Sequence, residues 1–296
     1  MTKRKTIFNV DTEKEFLDSD GWININELDH GSYGDNALYH ASYEKSKWLI
    51  KHGVDVHHVG LQKQNSLFNA DIKKTKLLIE HGININQVDN KGENTLFTAD
   101  YEKAKILIEN GINIHQINNL GKNALFDVKD PSLCKLLLDK GIEVNKVNNN
   151  GYNTLFYISS SIKSTDSGKL ATLLIEAGID VNQVNEDGRN ALFGANLELS
   201  KILLKNGIDI NATDNEGHNV LMALGPRGLE KAKLIIESGF DINVFKNNSD
   251  KLDEVWQEDV KVLIVETLTL REKVDITDFI EQEVDISNGI ERKNRL

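Results

Sequence analysis

One asparagine recurs along this 296-residue chain at an almost constant spacing. In most copies it follows Gly-x and precedes a small residue, Leu and Phe, and the steps between copies are 29, 29, 29, 30, 37 and 29 residues. A period in this range predicts a solenoid, in which each unit buries its apolar face only against its neighbours. Function is therefore expected on an extended surface rather than in a single catalytic pocket. The seven copies, from which we number the repeats, are Asn36, Asn65, Asn94, Asn123, Asn153, Asn190 and Asn219.

The third repeat shows how one unit is predicted to fold. Asn94 is a favourable helix N-cap because its side chain can accept a hydrogen bond from an unpaired backbone N–H, and we expect a first helix of about two turns after it. A second helix is predicted over Glu102–Asn110. Gly111 ends it, as expected where the residue after the helix needs a positive φ. The alternation of Ile112–His115 indicates an extended finger, which a turn then closes.

Two columns of the repeat barely change from unit to unit. The residue four before the terminating glycine is large and aliphatic, and the residue seven before it is always small, which lets two helices approach closely. Cys134 is therefore interpreted as a packing spacer rather than a nucleophile, and Trp48, in the column of Leu77 and Ile106, as core. The aliphatic column is Leu49, Leu78, Leu107, Leu137, Leu174, Leu203 and Ile235, and the small column is Ser46, Thr75, Ala104, Cys134, Ala171, Ser200 and Ala232.

The opening Gly-x-Asn-Ala-Leu-Phe and the closing Leu-Leu-Ile-Glu-x-Gly-Ile-x-Ile-Asn resemble the ankyrin repeat, whose opening is Gly-x-Thr-Pro-Leu-His-x-Ala. Leu96 and Ala99 keep the places that the family's pattern gives them. The match runs from about Gly21 to Asn248, with units about four residues shorter than the usual 33. The resemblance implies an all-α, ankyrin-type helix–turn–helix solenoid with finger loops, capped at both ends. It also implies that finger tips and first helices bind other proteins.

The repeat pattern divides the chain into three parts. Residues 1–30 are predicted to form an N-terminal capping half-repeat, with a second helix over Asp11–Asp20 but no first helix before it. Residues 31–248 hold the seven repeats, and residues 249–296 a degenerate C-terminal cap and tail. The period breaks at two insertions, Ser159–Gly168 in the fifth repeat and Gly225–Gly228 in the seventh. Insertions in a solenoid map to loops. Each of these two insertions is therefore either a functional loop or a neutral change, which is tolerated because a longer loop costs little free energy.

Composition excludes several classes of function. The formal net charge of −11 disfavours direct nucleic-acid binding, no run of 18 apolar residues exists to span a membrane, and a single cysteine suits a reducing cytoplasm. The polar N-terminus does not resemble a secretory signal. Neighbouring His57 and His58 could suggest a metal site, but His57 falls in a column of mostly Asn residues, which favours hydrogen bonding to the finger backbone. No phosphate-binding loop or catalytic constellation is evident, so we expect no enzyme activity, no cofactor, no metal and a monomer when unbound.

Transferred onto matching positions, the resemblance to ankyrin repeats gives candidate contact residues. These positions vary in size and charge between repeats while the core columns do not, as expected for a fixed scaffold with a tailored surface. Aromatic side chains are favoured at binding hot spots, which ranks the tyrosines first. The candidates at tips, first helices and the insertion are Tyr33, His40, Tyr43, Lys63, Asn69, Glu93, Thr98, Lys122, Asp127, Tyr152, Tyr157, Lys163, Arg189 and His218.

These observations predict a non-catalytic protein-binding scaffold. One specific version is an inhibitor or immunity-type protein whose acidic face covers a basic toxin or nuclease. A second is a bacterial or viral effector that docks onto a host protein. A third, of another class, is an enzyme or a regulatory subunit that uses the inserted loop of the fifth repeat.

Overall fold

A computed structural model describes residues 6–19, 23–29, 33–161, 166–224, 228–241 and 262–263, and the side chains of 159–161 are not described. The predicted C-terminal cap over 249–296, apart from 262–263, lies outside the described residues, as do Lys163 and most of the 225–228 insertion. The chain forms two compact units, Met1–Ile179 and Asp180–Leu296.

The described residues are helical, with two isolated β-bridges and no strand. None of these helices is long and apolar enough to cross a membrane. The α-helices of the first unit are α1 (Glu13–Leu17), α2 (Ala37–His40), α3 (Tyr43–Lys51), α4 (Ile72–Glu80), α5 (Tyr101–Glu109), α6 (Pro131–Asp139), α7 (Thr154–Ser161) and α8 (Asp166–Glu176), with 3₁₀ helices at Ile7–Asn9, Thr95–Thr98 and Ala124–Asp127. Those of the second unit are α9 (Leu197–Lys205), α10 (Val220–Ala223) and α11 (Leu229–Glu237).

The predicted second helices are confirmed. In the third repeat α5 spans Tyr101–Glu109, one residue earlier than the predicted range. It begins at Asp100, whose side chain accepts a hydrogen bond from the Lys103 amide, and it is followed by Gly111 with φ of 84°. A carboxylate at the start and a left-handed glycine at the end are the expected caps.

The first helices are shorter than the predicted two turns. Ala37–His40 and Thr95–Thr98 each span a single turn, and residues 66–69 and 191–194 form turns without a regular helix. In the third repeat the aspartate that caps α5 follows almost at once, so the chain must become extended at Ala99, where ψ is 141°. Most repeats are therefore shorter than the usual 33 residues because their first helix is short.

The fifth repeat corrects our expectation of an inserted loop at Ser159–Gly168. Residues 159–161 instead extend α7 to eight residues, and residues 166–168 form the first turn of α8. The inserted residues therefore make both helices of this repeat longer than the corresponding helices of the other repeats. Only residues 162–165 between the two helices lie outside the described structure.

The predicted core columns are confirmed in both units. Leu78, Leu107 and Leu203 are 0% exposed, and the small column is buried throughout. Cys134 is buried in that column, where burial and the neighbouring Asp130 raise the pKa of its thiol to about 12. A thiol held neutral in this way fits the predicted spacer. Trp48 is also buried, as predicted.

The N-terminal segment contains an element that we did not expect. The 3₁₀ helix Ile7–Asn9 takes the place of a first helix, and Ile7 is fully buried. Within α1, Phe16 packs on Trp48 with ring centroids 5.5 Å apart, and Glu13 pairs with Lys51 at 2.8 Å. The segment therefore covers the outward side of α3.

Candidate functional site

The second to sixth fingers each end in a tight turn built by one side chain. In the third finger the Oδ1 of Asn118 accepts hydrogen bonds from the amides of Leu120 and Lys122, both at 3.0 Å. Gly121 adopts a left-handed φ of 77° inside this turn. Asn119 and Leu120 are consequently exposed at the tip.

Successive finger tips are joined by a ladder of asparagines. Asn119 Nδ2 donates to Asn90 O at 2.9 Å, and Asn149 Nδ2 donates to Asn119 O at 3.0 Å. The backbone adds a second ladder, since the Asn149 amide donates to Leu120 O at 2.9 Å. In the second unit Asn215 makes the same two kinds of bond to the preceding finger. The tips are therefore ordered relative to their neighbours within each unit.

A second asparagine column confirms that finger side chains bind the backbone of the next repeat. The amide of Asn86 donates to Gly111 O at 3.4 Å and accepts from the Asn113 N–H at 2.6 Å. His57 shares this column and remains a prediction, while the ring of His58 lies 2.7 Å from Gly34 O. In the described residues no group of His, Cys, Asp and Glu side chains is arranged to hold a metal.

In several repeats the residue directly before the repeated asparagine links its finger to the next turn. Glu93 accepts a hydrogen bond from Asn118 Nδ2 at 2.7 Å, and in the second unit the Arg189 guanidinium pairs with Asp214 at 2.8 Å. Both links match a donor with an acceptor. The candidates Glu93 and Arg189 therefore already have partners within the chain, and His218 also lies 3.4 Å from Asp214.

The first two repeats carry Asp35 and Gln64 at this linking position. The candidate Tyr33 precedes Asp35 by two residues, the candidate Lys63 precedes Gln64 by one, and both candidates are exposed. Lys63 is the one non-glycine with a positive φ, 58°, in the described part of the chain. Gln64 makes the expected link to the next turn, with Nε2 donating to Asp89 at 3.3 Å.

The fourth repeat breaks this rule because its two linking groups are both donors. Lys122 faces a turn built by Asn148, whose Oδ1 already accepts two turn amides, from Asn150 and Tyr152. Tyr157 resolves the mismatch. Its hydroxyl accepts from Asn148 Nδ2 at 2.9 Å, and its ring carries the Lys122 ammonium 4.2 Å from the centroid.

Around this junction the structure brings four candidates together. Asp127 Oδ1 lies 3.9 Å from Lys122 Nζ, and the Tyr152 ring meets Tyr157 edge to face at 6.3 Å. Phe126 also contacts Tyr157 edge to face at 5.2 Å. Both tyrosines are half-buried. We call Lys122, Phe126, Asp127, Tyr152, Phe156 and Tyr157 the tyrosine cluster.

The other candidates on the helices of the first three repeats lie further apart from one another. His40 Nε2 lies 3.4 Å from Asp35 Oδ2, and burial raises the pKa of Asp35. Asn69 Nδ2 donates to Tyr39 O at 3.3 Å, while Thr98 is exposed at the matching place in the third repeat. Tyr43 starts α3 and has Lys47 Nζ 5.1 Å from its ring.

Three buried lysines were missed from the sequence. Lys74, Lys103 and Lys231 occupy the third position of their second helices and are 2%, 9% and 7% exposed. The signal was present, since Lys45 shares this column with them while Leu133 and Leu199 stand there in other repeats. A column in which Lys alternates with Leu indicates an inward-facing position.

Charge is distributed unevenly over the candidate surface. Residues 33–179 carry 17 lysines and 16 acidic residues and are almost neutral. The described fingers of the second unit, in contrast, expose carboxylates at their tips. These are Glu186, Asp187 and Glu216.

Comparison with known proteins shows which repeat fold this architecture resembles. Residues 120–214 match the family model described as "Ankyrin repeats (3 copies)". The fold is similar to the ankyrin repeat domain of human ASB11, with a TM-score of 0.56 at 20% identity over 64% of this chain and 90% of that one. It is also similar to an ankyrin repeat domain from Acinetobacter baumannii, with a TM-score of 0.52 at 22% identity over 58% of this chain and 96% of that one. No curated protein matches the sequence significantly.

The predicted resemblance and fold class are thus confirmed, and the protein has an all-α, ankyrin-type repeat fold. Ankyrin repeats are in general scaffolds for protein–protein interaction.

Proposed function

We propose that this protein is a non-catalytic scaffold that binds another protein through its finger tips and first helices, with the tyrosine cluster as the anchor. The observation that carries the proposal is the half-buried pair Tyr152 and Tyr157. Aromatic side chains with a polar tip are favoured hot-spot residues. Their rings are held by neighbouring side chains before any partner arrives, so little side-chain entropy is lost on binding.

The partner is expected to present a basic segment. The acidic tips of the second unit, with Glu186 and Asp187 on one finger and Glu216 on the next, would attract such a partner over a Debye length. In the tyrosine cluster the Lys122 ammonium already occupies the face of the Tyr157 ring beside Asp127, so the attraction of a basic partner comes from the acidic tips. The specific function that we propose is an inhibitor or immunity-type protein in the cytoplasm, acting as a monomer on a basic toxin or nuclease.

The test is a parallel affinity purification from the native source with three baits: wild type, Tyr152→Ala and Tyr101→Ala. Tyr101 is the matched control, because it is a half-exposed tyrosine at the first position of α5, outside the fingers and first helices. We expect wild type and the control to retain the same protein and Tyr152→Ala to bind it at least ten times more weakly, which corresponds to about 1.4 kcal/mol. Association should also slow as salt rises.

Equal retention by all three baits, with circular dichroism showing each folded, would contradict the proposed anchor. The identity of the partner separates the specific versions. A toxin or nuclease from the same cell supports the inhibitor, whereas retention only of a protein from a host supports an effector. The version with an enzyme or a regulatory subunit is supported instead if turnover is measured with the purified chain.

A further inference from the structure

A buried ammonium group joins the first two repeats. Lys74 projects from the third position of α4, and its Nζ donates to Leu38 O at 2.7 Å, Ala41 O at 2.9 Å and Tyr39 O at 3.1 Å. An ammonium has three protons, so these three carbonyls satisfy all of them. All three belong to the end of the preceding repeat's first helix.

The same arrangement recurs in both units. Lys103 Nζ donates to Leu67 O at 3.0 Å and Ala70 O at 2.9 Å, at the end of the first turn of the second repeat. In the second unit Lys231 Nζ donates to Leu192 O at 2.6 Å and Ala195 O at 2.7 Å. Lys45 makes a half-buried version with Ile7 O. In each case a lysine of one second helix binds the first helix or turn of the repeat before it.

The shortened first helix explains why a cation is favourable there. The last carbonyls of a helix have no partner within it, and they carry the partial negative charge of the helix C-terminus. When the helix is only one turn long, such as Ala37–His40, these carbonyls make up most of its length. An ammonium from the next repeat satisfies several of them at once.

Burial alone does not require a lysine at this position. Leu133 on α6 and Leu170 on α8 occupy the same column and are 7% and 1% exposed. An apolar residue therefore fills the space without binding the carbonyls. What distinguishes the lysines is that each binds backbone carbonyls on both sides of a short surface segment, which is His40 for Lys74 and Phe68–Asn69 for Lys103.

We propose that Lys74 and Lys103 are positioning residues, whose ammonium groups fix the backbone around His40 and Asn69 and so preorganise the first-helix surface of the first two repeats. The inference rests on the proposed function only in taking this surface as one that meets a partner. A surface that is ordered in advance loses less entropy on binding. In the third and fourth repeats, where Leu follows, Thr98 and Asp127 have no such clamp.

Amide hydrogen exchange of the full-length protein tests the clamp without any partner. Lys74→Met keeps the length of the side chain and removes the ammonium. Lys76→Met, two residues further along α4 and exposed, is the matched control. We expect exchange over residues 37–41 to be at least about tenfold faster in Lys74→Met than in wild type. Lys76→Met should match wild type.

A spectroscopic signature accompanies this test. The Nζ protons of a buried, hydrogen-bonded ammonium should exchange slowly enough with water to give ¹H–¹⁵N signals at neutral pH, and Lys74→Met should remove one of them. Unchanged exchange over residues 37–41 in Lys74→Met overturns the proposal, as does the absence of any slow Nζ signal that depends on Lys74. Neither result bears on the binding test at Tyr152, so failure of the clamp and failure of the proposed function can be told apart.

Discussion

Two glycines offer a direct measurement of how closely the fingers stack. Gly111 and Gly121 both have a left-handed φ, of 84° and 77°. Alanine in this left-handed conformation costs about 1–2 kcal/mol in the free energy of unfolding at either position. Because alanine also lowers the conformational entropy of the unfolded chain, about 0.4–1 kcal/mol of this cost is offset. A Cβ on Gly111 meets no atom within 4 Å, so Gly111→Ala should cost about 1 kcal/mol in the free energy of unfolding.

Gly121 differs because the next finger lies against it. A Cβ there would stand 2.9 Å from Asn149 N and 3.2 Å from Asn148 C, which are backbone atoms of that finger and cannot rotate away. Forcing this methyl group in should add about 1–3 kcal/mol, the usual cost of overpacking. Gly121→Ala is therefore expected to destabilise the protein by about 2–4 kcal/mol in total.

Urea unfolding followed by circular dichroism measures both variants against wild type. The difference between the two alanines isolates the contact between fingers, because the backbone strain is common to both. If Gly121→Ala and Gly111→Ala lose the same stability within about 0.5 kcal/mol, the fingers do not pack as closely as the structure has them and the reasoning is refuted.

Three further outcomes are expected. Leu107→Ala should cost about 2–5 kcal/mol in urea unfolding because the side chain is fully buried, and a loss below about 0.5 kcal/mol would exclude it from the core. Cys134 should resist alkylation at pH 8 until the protein unfolds, because its thiol is buried with a pKa raised to about 12, and rapid labelling of the folded protein would contradict this. Burial lowers the pKa of Lys74 to about 8, below its unfolded value near 10.4, so the folded state binds fewer protons between these values. Stability should therefore rise through this range by up to about 3 kcal/mol, and the Lys74 part of that rise should be absent in Lys74→Met and retained in Lys76→Met.

The features predicted correctly from the sequence are those that depend on local chemistry repeated in phase. The range of α5 follows from its apolar period and from Gly111, and the burial of Leu107 follows from its column. The length of the first helices was overestimated because Asn94 and the apolar residues after it mark only a beginning. The end is set by Asp100, which caps the next helix and draws the chain away after one turn.

The buried lysines could not be predicted from residue type, because lysine is almost always exposed. Lys74 and Lys76 stand two residues apart on α4, and one is buried while the other is exposed. The carbonyls that bind Lys74 belong to residues more than 30 positions earlier, so its burial shows in the sequence only through the repeat column in which Lys alternates with Leu. A short first helix or turn leaves carbonyls open, and a lysine of the next repeat binds them after the first, second and sixth repeats, whereas a leucine stands there after the third and fourth.

The links between fingers also change how the candidate contact residues rank. A partner that engages Glu93 or Arg189 must compete with Asn118 or Asp214, and breaking such a link leaves a polar group to be satisfied again. A partner that contacts the ring of Tyr152 breaks no such link, because the ring makes only edge-to-face contacts with other rings and is half-exposed. A partner can therefore add to these contacts without replacing them. For this reason a tyrosine of the fifth repeat, rather than a charged residue at an equivalent tip, is the side chain on which binding should depend most.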